Sequence, residues 1–351
     1  MIVKDIKVQT HDMQLKEPWA IAGHVHESIK NTFIIMEDTE GNIGVGSCAT
    51  QNDSEESVKA CFENLDSFSS SLIGKDLSPN ENTLNWIASE FSSSPEGNAA
   101  LDIAIHDLWA KRQKKSLVDA LGKSHQSFGT SITIGVAPLE KTVELAEKHI
   151  SNGFSFLKIK IGDCVEEDIE RMKALFALKP EKIKIRVDAN RGYSKKELIK
   201  FYEETLDLGL ELIEQPMEID QNDEMLYFPN EIRNICVADE SLKNFDHAIR
   251  LVQEPKPFGV FNIKLMKCGG VSAAKKIAAL AHENDIKLMW GCFDESKVSI
   301  SAALHTALSC ENTQYIDLDG FFDLGWDLIE GGYTCEQGIM SVLDKPGLGV
   351  Y

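Results

Sequence analysis

The sequence lacks the patterns by which several classes of protein are recognised. None of its apolar runs reaches the length of a transmembrane helix, and the first ten residues, MIVKDIKVQT, lack the apolar core of a signal peptide. Its eight cysteines form no CxxC pair and no cysteine–histidine cluster at zinc spacing. Scattered thiols of this kind are typical of a reducing compartment, so we predict a cytoplasmic protein without membrane contact.

Basic residues are also scarce. The 351 residues include 36 lysines and arginines against 56 acidic residues, a formal net charge of −20. Nucleic acids and anionic membranes select basic surfaces, so neither is expected as a partner. Hydrophobic residues at 43% and charged residues at 26% are the balance of an ordinary globular protein. A small-molecule substrate is the expected partner, and a homo-oligomer remains possible.

Two patterns divide the chain. Residues 1–125 mix strand-like and helical segments, which predicts an α+β domain. From residue 126 to about 320, eight strand-like segments alternate with helical ones, the count of a (β/α)8 barrel in an α/β protein. A doubly wound sheet is the alternative, but the first of these strands is followed by GVAPLE, without a GxGxxG phosphate turn. The predicted strands are SITIGV, FLKIKI, IKIRVDA, LELIEQ, CVADES, FNIKLM, KLMWGC and QYIDLD.

Polar residues recur in phase with these strands. Asp188, Glu214, Asp239 and Lys264 are separated by 26, 25 and 25 residues, one strand–helix unit each. The C-terminal strand ends of a barrel meet at one mouth, where active sites lie. Three carboxylates in a confined mouth stay ionised only beside positive charge, and an all-oxygen ligand set suits Mg²⁺. Asn190, two residues past Asp188, could orient a ligand, bind substrate or close the turn.

The lysines suggest the chemistry. Lys158 and Lys160 alternate with apolar residues in FLKIKIG and so point to the same side of a strand. In a barrel strand buried on both faces, they point into the mouth rather than beneath the helices. Lys264 lies on the sixth strand, opposite the second, so a substrate between them meets an amine on each face. A metal-polarised carboxylate and a lysine with a lowered pKa predict 1,1-proton transfer through an enolate, giving a stereoisomer.

The motifs also resemble those of a known family. In order and spacing, KIK, VDAN, EQP, ADES and NIKLMKCGG are similar to the enolase superfamily, muconate-lactonizing-enzyme subgroup. The resemblance extends to a C-terminal KPGLGV and implies three parts: a capping domain over 1–125, the barrel over 126–320, and a segment, 321–351, that returns to the capping domain. It implies Mg²⁺ on Asp188, Glu214 and Asp239. It also implies acid/base roles for Lys160 and Lys264, with Lys158 supporting the enolate electrostatically.

Within the subgroup, the segment YIDLDG is informative. Asp317 and Asp319 are two residues apart and so point one way, away from the predicted metal ligands. Dipeptide epimerases carry an Asp-x-Asp at this strand end, which holds the α-ammonium group of the substrate. The resemblance therefore implies an isomerase that inverts the α-carbon of the C-terminal residue of a dipeptide.

Other activities of the same fold remain alternatives. N-Acylamino acid racemase, o-succinylbenzoate synthase and cycloisomerase share the lysines and metal ligands, but their substrates bring no free ammonium group to this aspartate pair. A catalytically inactive binding protein would be expected to lack one of the lysines or carboxylates, and none is missing.

The side-chain preference depends on fewer residues. EPWAIAGHVHES resembles a mobile capping loop, and His24 stands where members acting on Ala-Glu can place an arginine. We therefore predict L-Ala-D/L-Glu, from murein peptide metabolism, with broad tolerance. Asp294, where relatives often have an apolar residue, would instead favour cationic dipeptides, and hydrophobic dipeptides are a further alternative. Glu295 and Thr133 line up with the family's pocket edge.

Overall fold

The N-terminal domain is a three-stranded antiparallel sheet with helices packed against it. The computed structural model describes residues 1–21, 24–50, 54–178 and 182–351, and of residues 17–21 and 24–26 it describes the backbone alone. Strands β1 (Val3–Ile21), β2 (His24–Asp38) and β3 (Ile43–Ala49) pair in that order. The helices are α1 (Glu55–Leu72), α2 (Glu81–Glu90), α3 (Pro95–Arg112) and α4 (Leu117–Leu121).

The β1–β2 hairpin is more regular than its sequence indicated. Residues 17–28 were expected to form a capping loop, yet both strands continue into this segment, with Trp19 paired to His26. The hairpin is held by backbone bonds to the loop that follows the last barrel strand, because Lys16 N donates to the carbonyl of Asp323 at 2.8 Å. Strand pairing thus extends this arm towards the mouth of the barrel.

The predicted barrel is confirmed. Its eight strands are parallel and pair in chain order, and a parallel bridge between Thr130 and Ile316 closes the ring between the last strand and the chain entering the first. After a short strand β4 (Phe128–Gly129), the barrel strands are β5 (Ile132–Ile134), β6 (Phe156–Lys160), β7 (Lys184–Asp188), β8 (Leu212–Glu214), β9 (Cys236–Ala238), β10 (Val260–Ile263), β11 (Lys287–Gly291) and β12 (Thr313–Asp317).

Helices surround the barrel between these strands. They are α5 (Leu139–Ser151), α6 (Val165–Leu178), α7 (Lys195–Thr205), α8 (Asn230–Arg233), α9 (Phe245–Leu251), α10 (Leu265–Cys268), α11 (Val271–Glu283) and α12 (Lys297–Leu308). The start of α7 shows how local sequence fixes an end: Ser194 accepts from the backbone of Glu197, whose side chain accepts from the backbone of Ser194. No helix of the described part of the chain is long and apolar enough to cross a membrane.

The sixth predicted strand continues into a helix. The sixth was expected to run through FNIKLM, but β10 ends at Ile263, and Lys264 is the N-cap of α10. The apolar residues Leu265 and Met266 are buried in that helix rather than in the sheet. A short apolar run does not distinguish a strand from a buried helical turn, which explains the error.

The C-terminal segment contacts both halves of the chain. Strands β13 (Tyr333–Glu336) and β14 (Ile339–Val342) form a small antiparallel sheet with β4. Further on, Leu117 N donates to the carbonyl of Gly347 at 2.7 Å, and Leu348 N donates to the Asp107 carboxylate at 2.8 Å. The segment therefore packs on α3 and α4 of the N-terminal domain, while the boundaries at residues 125 and 320 stay predictions.

Candidate active site

Carboxylates and lysines meet at the C-terminal end of the barrel. Strand register places them side by side, since Lys160 pairs with Asp188 and Asp188 with Glu214. The ammonium group of Lys158 lies at the centre of this cluster, with its Nζ 3.1 Å from Asp188 Oδ2 and 2.8 Å from Glu214 Oε2. Lys158 is 4% exposed, and its ammonium group lies among the carboxylates of the mouth, as its position in the strand predicted.

Lys160 forms one wall of the mouth. Its Nζ donates to Asp188 Oδ2 at 2.6 Å and to Asn190 Oδ1 at 2.7 Å. Asn190 has a left-handed backbone (φ 41°), and its own N–H donates to Asp188 Oδ1 at 3.0 Å. Asn190 therefore closes the turn, one of the roles considered for it, and it also contacts Lys160, while a role in orienting a ligand or binding substrate stays a prediction.

Lys264 lies on the opposite wall, after the sixth barrel strand. Its Nζ is 2.9 Å from Asp239 Oδ2 and 5.0 Å from the centre of the Phe293 ring. Gly291 on the neighbouring strand leaves room for it, because a Cβ there would lie 3.0 Å from Lys264 Cε. The side chains of Lys160 and Lys264 are 28% and 11% exposed, so both reach the solvent-accessible mouth.

The buried charges shift the pKa values of one another. Burial, together with the nearby Asp188 carboxylate, raises the pKa of Glu214 to about 7, although Lys158 opposes the rise. Burial alone would raise the pKa of Asp239, but Lys264 and Lys267 hold it below its ordinary value. The cluster therefore holds an ionised acid, Asp239, and a second acid, Glu214, that keeps its proton to near neutral pH.

The expected lowering of a lysine pKa is wrong for Lys264. Burial by itself would lower the pKa of Lys264, but the carboxylates of Asp239 and Glu214 raise it above its ordinary value. The physical reason is the direct ion pair with Asp239, which the sequence argument did not include. Lys158 is likewise held as an ammonium ion: burial lowers its pKa, and the carboxylates of Asp188, Asp317 and Glu214 more than reverse the effect.

The three predicted metal ligands fit a hard divalent cation by their chemistry. In the described part of the chain, their oxygens face ammonium groups, and no three acidic, histidine or cysteine side chains gather around one point. Nevertheless, Asp188, Glu214 and Asp239 are a buried all-oxygen set, as Mg²⁺ prefers. The raised pKa of Glu214 beside Asp188 indicates negative charge that further positive charge would stabilise. Mg²⁺ therefore fits this donor set.

The two aspartates of the last strand have different surroundings. Asp317 Oδ2 lies 2.7 Å from Lys158 Nζ, so Asp317 belongs to the central cluster and does not point away from the predicted metal ligands as expected. Its Oδ1 is buried without a partner among the described residues. Asp319 is half-buried and accepts from Thr133 N at 2.8 Å. Burial and the Asp317 charge raise the pKa of Asp319 to about 7.

The loop after the seventh barrel strand is folded on itself. Glu295 is 2% exposed and accepts from Phe293 N at 2.8 Å, so its carboxyl is held within the loop, and its place at the pocket edge stays a prediction. Burial raises the pKa of Glu295 to about 7. The half-buried Asp294 is held through its backbone, whose carbonyl accepts from Asn31 Nδ2 at 3.4 Å. The side chain of His24 lies outside the described residues.

Three residues that support the site were not singled out from the sequence. Gln215 Oε1 accepts from the backbone of Asp239, Asn262 Nδ2 donates to Glu214 Oε1, and Lys267 donates to the Asp239 carboxylate. Each lies within a motif already noted, Gln215 in EQP and Asn262 and Lys267 in NIKLMKCGG. Membership of the motif was the available signal, but only the fold shows which carboxylate each one contacts.

Comparisons with known proteins agree with this architecture. The chain matches the family model described as "Mandelate racemase / muconate lactonizing enzyme, N-terminal domain" over residues 4–122, and "Enolase C-terminal domain-like" over residues 141–351. It is 42% identical to the L-Lys-D/L-Arg epimerase of Desulforapulum autotrophicum, over 100% of this chain and 99% of that protein. It is 32% identical to the L-Ala-D/L-Glu epimerase of Clostridium acetobutylicum, with the same coverage.

A solved structure is similar along the whole chain. The dipeptide epimerase of Methylococcus capsulatus, crystallised with Mg and the dipeptide L-Arg-D-Lys, superposes with a TM-score of 0.95. The two sequences are 39% identical, and the match covers 100% of this chain and 99% of that one.

Proposed function

Because the chain belongs to the mandelate racemase and muconate lactonizing enzyme family of the enolase superfamily, among its dipeptide epimerases, we propose that it epimerises dipeptides with cationic side chains. The observation that carries the proposal is the position of two lysines, Lys160 at the end of the second barrel strand and Lys264 directly after the sixth, each paired with a carboxylate of the mouth. Proton transfer on two faces of one carbon needs two such groups.

The lysines divide the reaction. The neutral amine of one removes the α-proton of the C-terminal residue, and the electron pair left behind forms the enolate of the substrate. The ammonium group of the opposite lysine then donates a proton to the other face, which gives the epimer. Lys158 keeps its proton because three carboxylates face it, so it supplies fixed positive charge rather than a base. Mg²⁺ on Asp188, Glu214 and Asp239 would supply a Lewis acid that makes the α-proton more acidic.

The other end of the substrate needs acidic groups. Asp319, half-buried at the mouth and held by Thr133 N, is placed to accept the α-ammonium group, with Asp317 behind it. A charge-assisted hydrogen bond of this kind contributes about 1.5–3 kcal/mol. A free N-terminus therefore distinguishes a dipeptide from an N-acyl amino acid.

Cationic side chains are favoured by two features. Acidic groups exceed the lysines around the mouth, where burial and neighbouring carboxylates raise the pKa values of Glu214 and Asp319 to about 7. The similarity to a Lys-Arg epimerase, at 42% identity, exceeds that to an Ala-Glu epimerase, at 32%. Asp294 is our candidate for the side-chain contact. The L-Ala-L-Glu preference predicted from the sequence is the second candidate, supported by the latter relative and by the sequence match at His24.

The test is a dipeptide panel incubated in D₂O with Mg²⁺ and followed by mass gain and chiral separation. We expect L-Lys-L-Arg and L-Arg-L-Lys to exchange at least about tenfold faster than L-Ala-L-Glu, the factor that one charge-assisted contact provides. Asp294→Asn should reduce that ratio and leave exchange of L-Ala-L-Glu unchanged. Faster turnover of L-Ala-L-Glu would contradict the cationic preference, and exchange confined to N-acyl amino acids would contradict the epimerase proposal.

We also propose that the enzyme acts in the cytoplasm. All eight cysteines are free thiols in the structure, including Cys48 and Cys61, whose sulfur atoms lie 3.5 Å apart. Scattered cysteines without a CxxC pair are typical of a reducing compartment. Fractionation of cells that produce the tagged protein tests the location.

A further inference from the structure

A buried aspartate joins three loops on the Lys160 side of the mouth. Asp168, in the first turn of α6, is 0% exposed. Its Oδ2 accepts from Gly162 N at 2.9 Å and from the hydroxyl of Tyr193 at 2.7 Å. Its Oδ1 accepts from Arg171, which also donates to the carbonyl of Ala137 at 2.7 Å. One carboxylate therefore fixes the segments that follow the first, second and third barrel strands.

Two of these segments lead directly from Lys160 and from a partner of its ammonium group. Gly162 lies two residues after Lys160, and Tyr193 lies three residues after Asn190, whose side chain accepts from Lys160 Nζ at 2.7 Å. The segments also join directly, because Ile161 N donates to the carbonyl of Asp188 at 2.9 Å. A shift of either segment would move the ammonium group relative to its partners.

The packing leaves little freedom between the two segments. A Cβ on Gly162 would lie 2.5 Å from the carbonyl oxygen of Ala189, and one on Gly192 would lie 2.3 Å from that of Gly162. Gly162 has φ +114°, which side chains disfavour. The two backbones are in direct contact. The Asp168 carboxylate joins them a second time, because it accepts from both Gly162 N and the Tyr193 hydroxyl.

We propose that Asp168 and Tyr193 are positioning residues for Lys160, and that they control proton transfer on the face it serves but not on the face of Lys264. The inference rests on the proposed two-lysine reaction. Lys264 is held differently, by Asp239 and as the N-cap of α10, and none of its described contacts involves this network. Loss of the Tyr193 hydroxyl should therefore affect the two epimers of one substrate unequally.

The experiment compares Tyr193→Phe with the wild type and with Tyr202→Phe, a matched control on the outer helix α7. Asp168→Asn is a second variant, and it carries more risk of misfolding because it leaves Arg171 buried without its acid. Exchange of the α-proton in D₂O is measured for each epimer of L-Arg-L-Lys. Lys160→Ala and Lys264→Ala identify which epimer each lysine serves.

In Tyr193→Phe we expect kcat to fall about tenfold for the epimer that Lys160→Ala silences and less than about twofold for the other, since small displacements of a catalytic group are costly. KM should stay unchanged for both, as should Mg²⁺ affinity by calorimetry. In Tyr202→Phe both rates should stay within about twofold. An equal loss from both epimers, or no loss from either, would overturn the positioning role. A wild type that exchanges no dipeptide would refute the proposed function and this role with it.

Discussion

Lys158 and Asp317 form a buried ion pair, with 2.7 Å between Nζ and Oδ2. This pair joins the second barrel strand to the eighth, and it links the proposed enolate-supporting charge to the proposed binding site for the substrate's ammonium group. Since Lys158 already engages Asp317, the partner better placed for an incoming ammonium group is Asp319.

The first prediction concerns the stability of this pair. Lys158→Met should lower the free energy of unfolding by about 3–5 kcal/mol, because it leaves several carboxylates buried without their cation. Urea denaturation in the presence of a chelator measures the loss. The matched control is Lys173→Met, which breaks an ion pair with Glu204 whose two side chains are 50% and 51% exposed. That change should leave the free energy of unfolding nearly unchanged, because solvent screens an exposed pair. Similar losses in the two variants would contradict a central electrostatic role for Lys158.

The second prediction concerns the metal. Chelation should abolish α-proton exchange, and added Mg²⁺ should restore it. Asp239→Asn should weaken Mg²⁺ binding and reduce the rate by several orders of magnitude, because it removes a proposed ligand that also pairs with Lys264. Calorimetric titration with Mg²⁺ gives a readout independent of turnover. Full exchange after exhaustive chelation would rule out the metal assignment.

The third prediction assigns the lysines to faces. Lys160→Ala should lose exchange from one epimer while keeping part of the exchange from the other, and Lys264→Ala should show the converse. Exchange in D₂O, started separately from each pure epimer, provides the measurement. If either variant exchanges both epimers at wild-type rates, two-base proton transfer is excluded.

Much of this site could be predicted because barrel geometry is repetitive. Alternation along a strand placed Lys158 and Lys160 on one side, and the regular spacing placed Asp188, Glu214 and Asp239 at adjacent strand ends. These are consequences of local periodicity, which the sequence shows directly.

The remaining features depend on contacts between distant segments. Asp317 pairs with Lys158, 159 residues away, and Gln215 accepts from the backbone of Asp239, 24 residues away. Neither follows from alternation or spacing. The raised pKa of Lys264 has the same origin, because it depends on the Asp239 carboxylate, which comes from another strand.

The fourth prediction concerns acid stability and His305. This residue is 0% exposed; its Nδ1 accepts from Val118 N at 3.0 Å, and its Nε2 donates to the carbonyl of Leu348 at 3.3 Å. Burial lowers the pKa of His305 to about 4, below the ordinary value of about 6.5. His305 therefore binds a proton more readily in the unfolded chain than in the folded one. The free energy of unfolding should fall as the pH drops from about 6.5 to about 4, by up to about 1.4 kcal/mol per pH unit.

The measurement compares unfolding free energies across that range for the wild type and His305→Gln. The variant should be less stable at pH 7.5, and its disadvantage should shrink as the pH falls. His282→Gln is the control for replacing a histidine at the surface, because that side chain is 58% exposed. A constant difference between wild type and His305→Gln would show that His305 does not titrate in this range.

The last prediction tests recognition of the substrate's amino terminus through its pH dependence. Asp319 has a pKa of about 7 in the folded chain, so at pH 6 most of it is protonated and unable to pair with an ammonium group. The α-amino group stays charged below about pH 7.7, so binding requires Asp319 to lose its proton first. KM for a dipeptide should therefore rise as the pH falls from about 7.5 to about 5.5, by up to about tenfold per unit. In Asp319→Asn, KM should be high and nearly independent of pH, because the amide does not titrate.

The N-acetylated dipeptide should be a poor substrate at every pH, with a kcat/KM lower by at least about tenfold, since it lacks the ammonium group that donates to the carboxylate. If the acetylated and free dipeptides show the same KM and the same pH dependence, Asp319 does not bind the ammonium group, and an N-acylamino acid racemase becomes the better assignment.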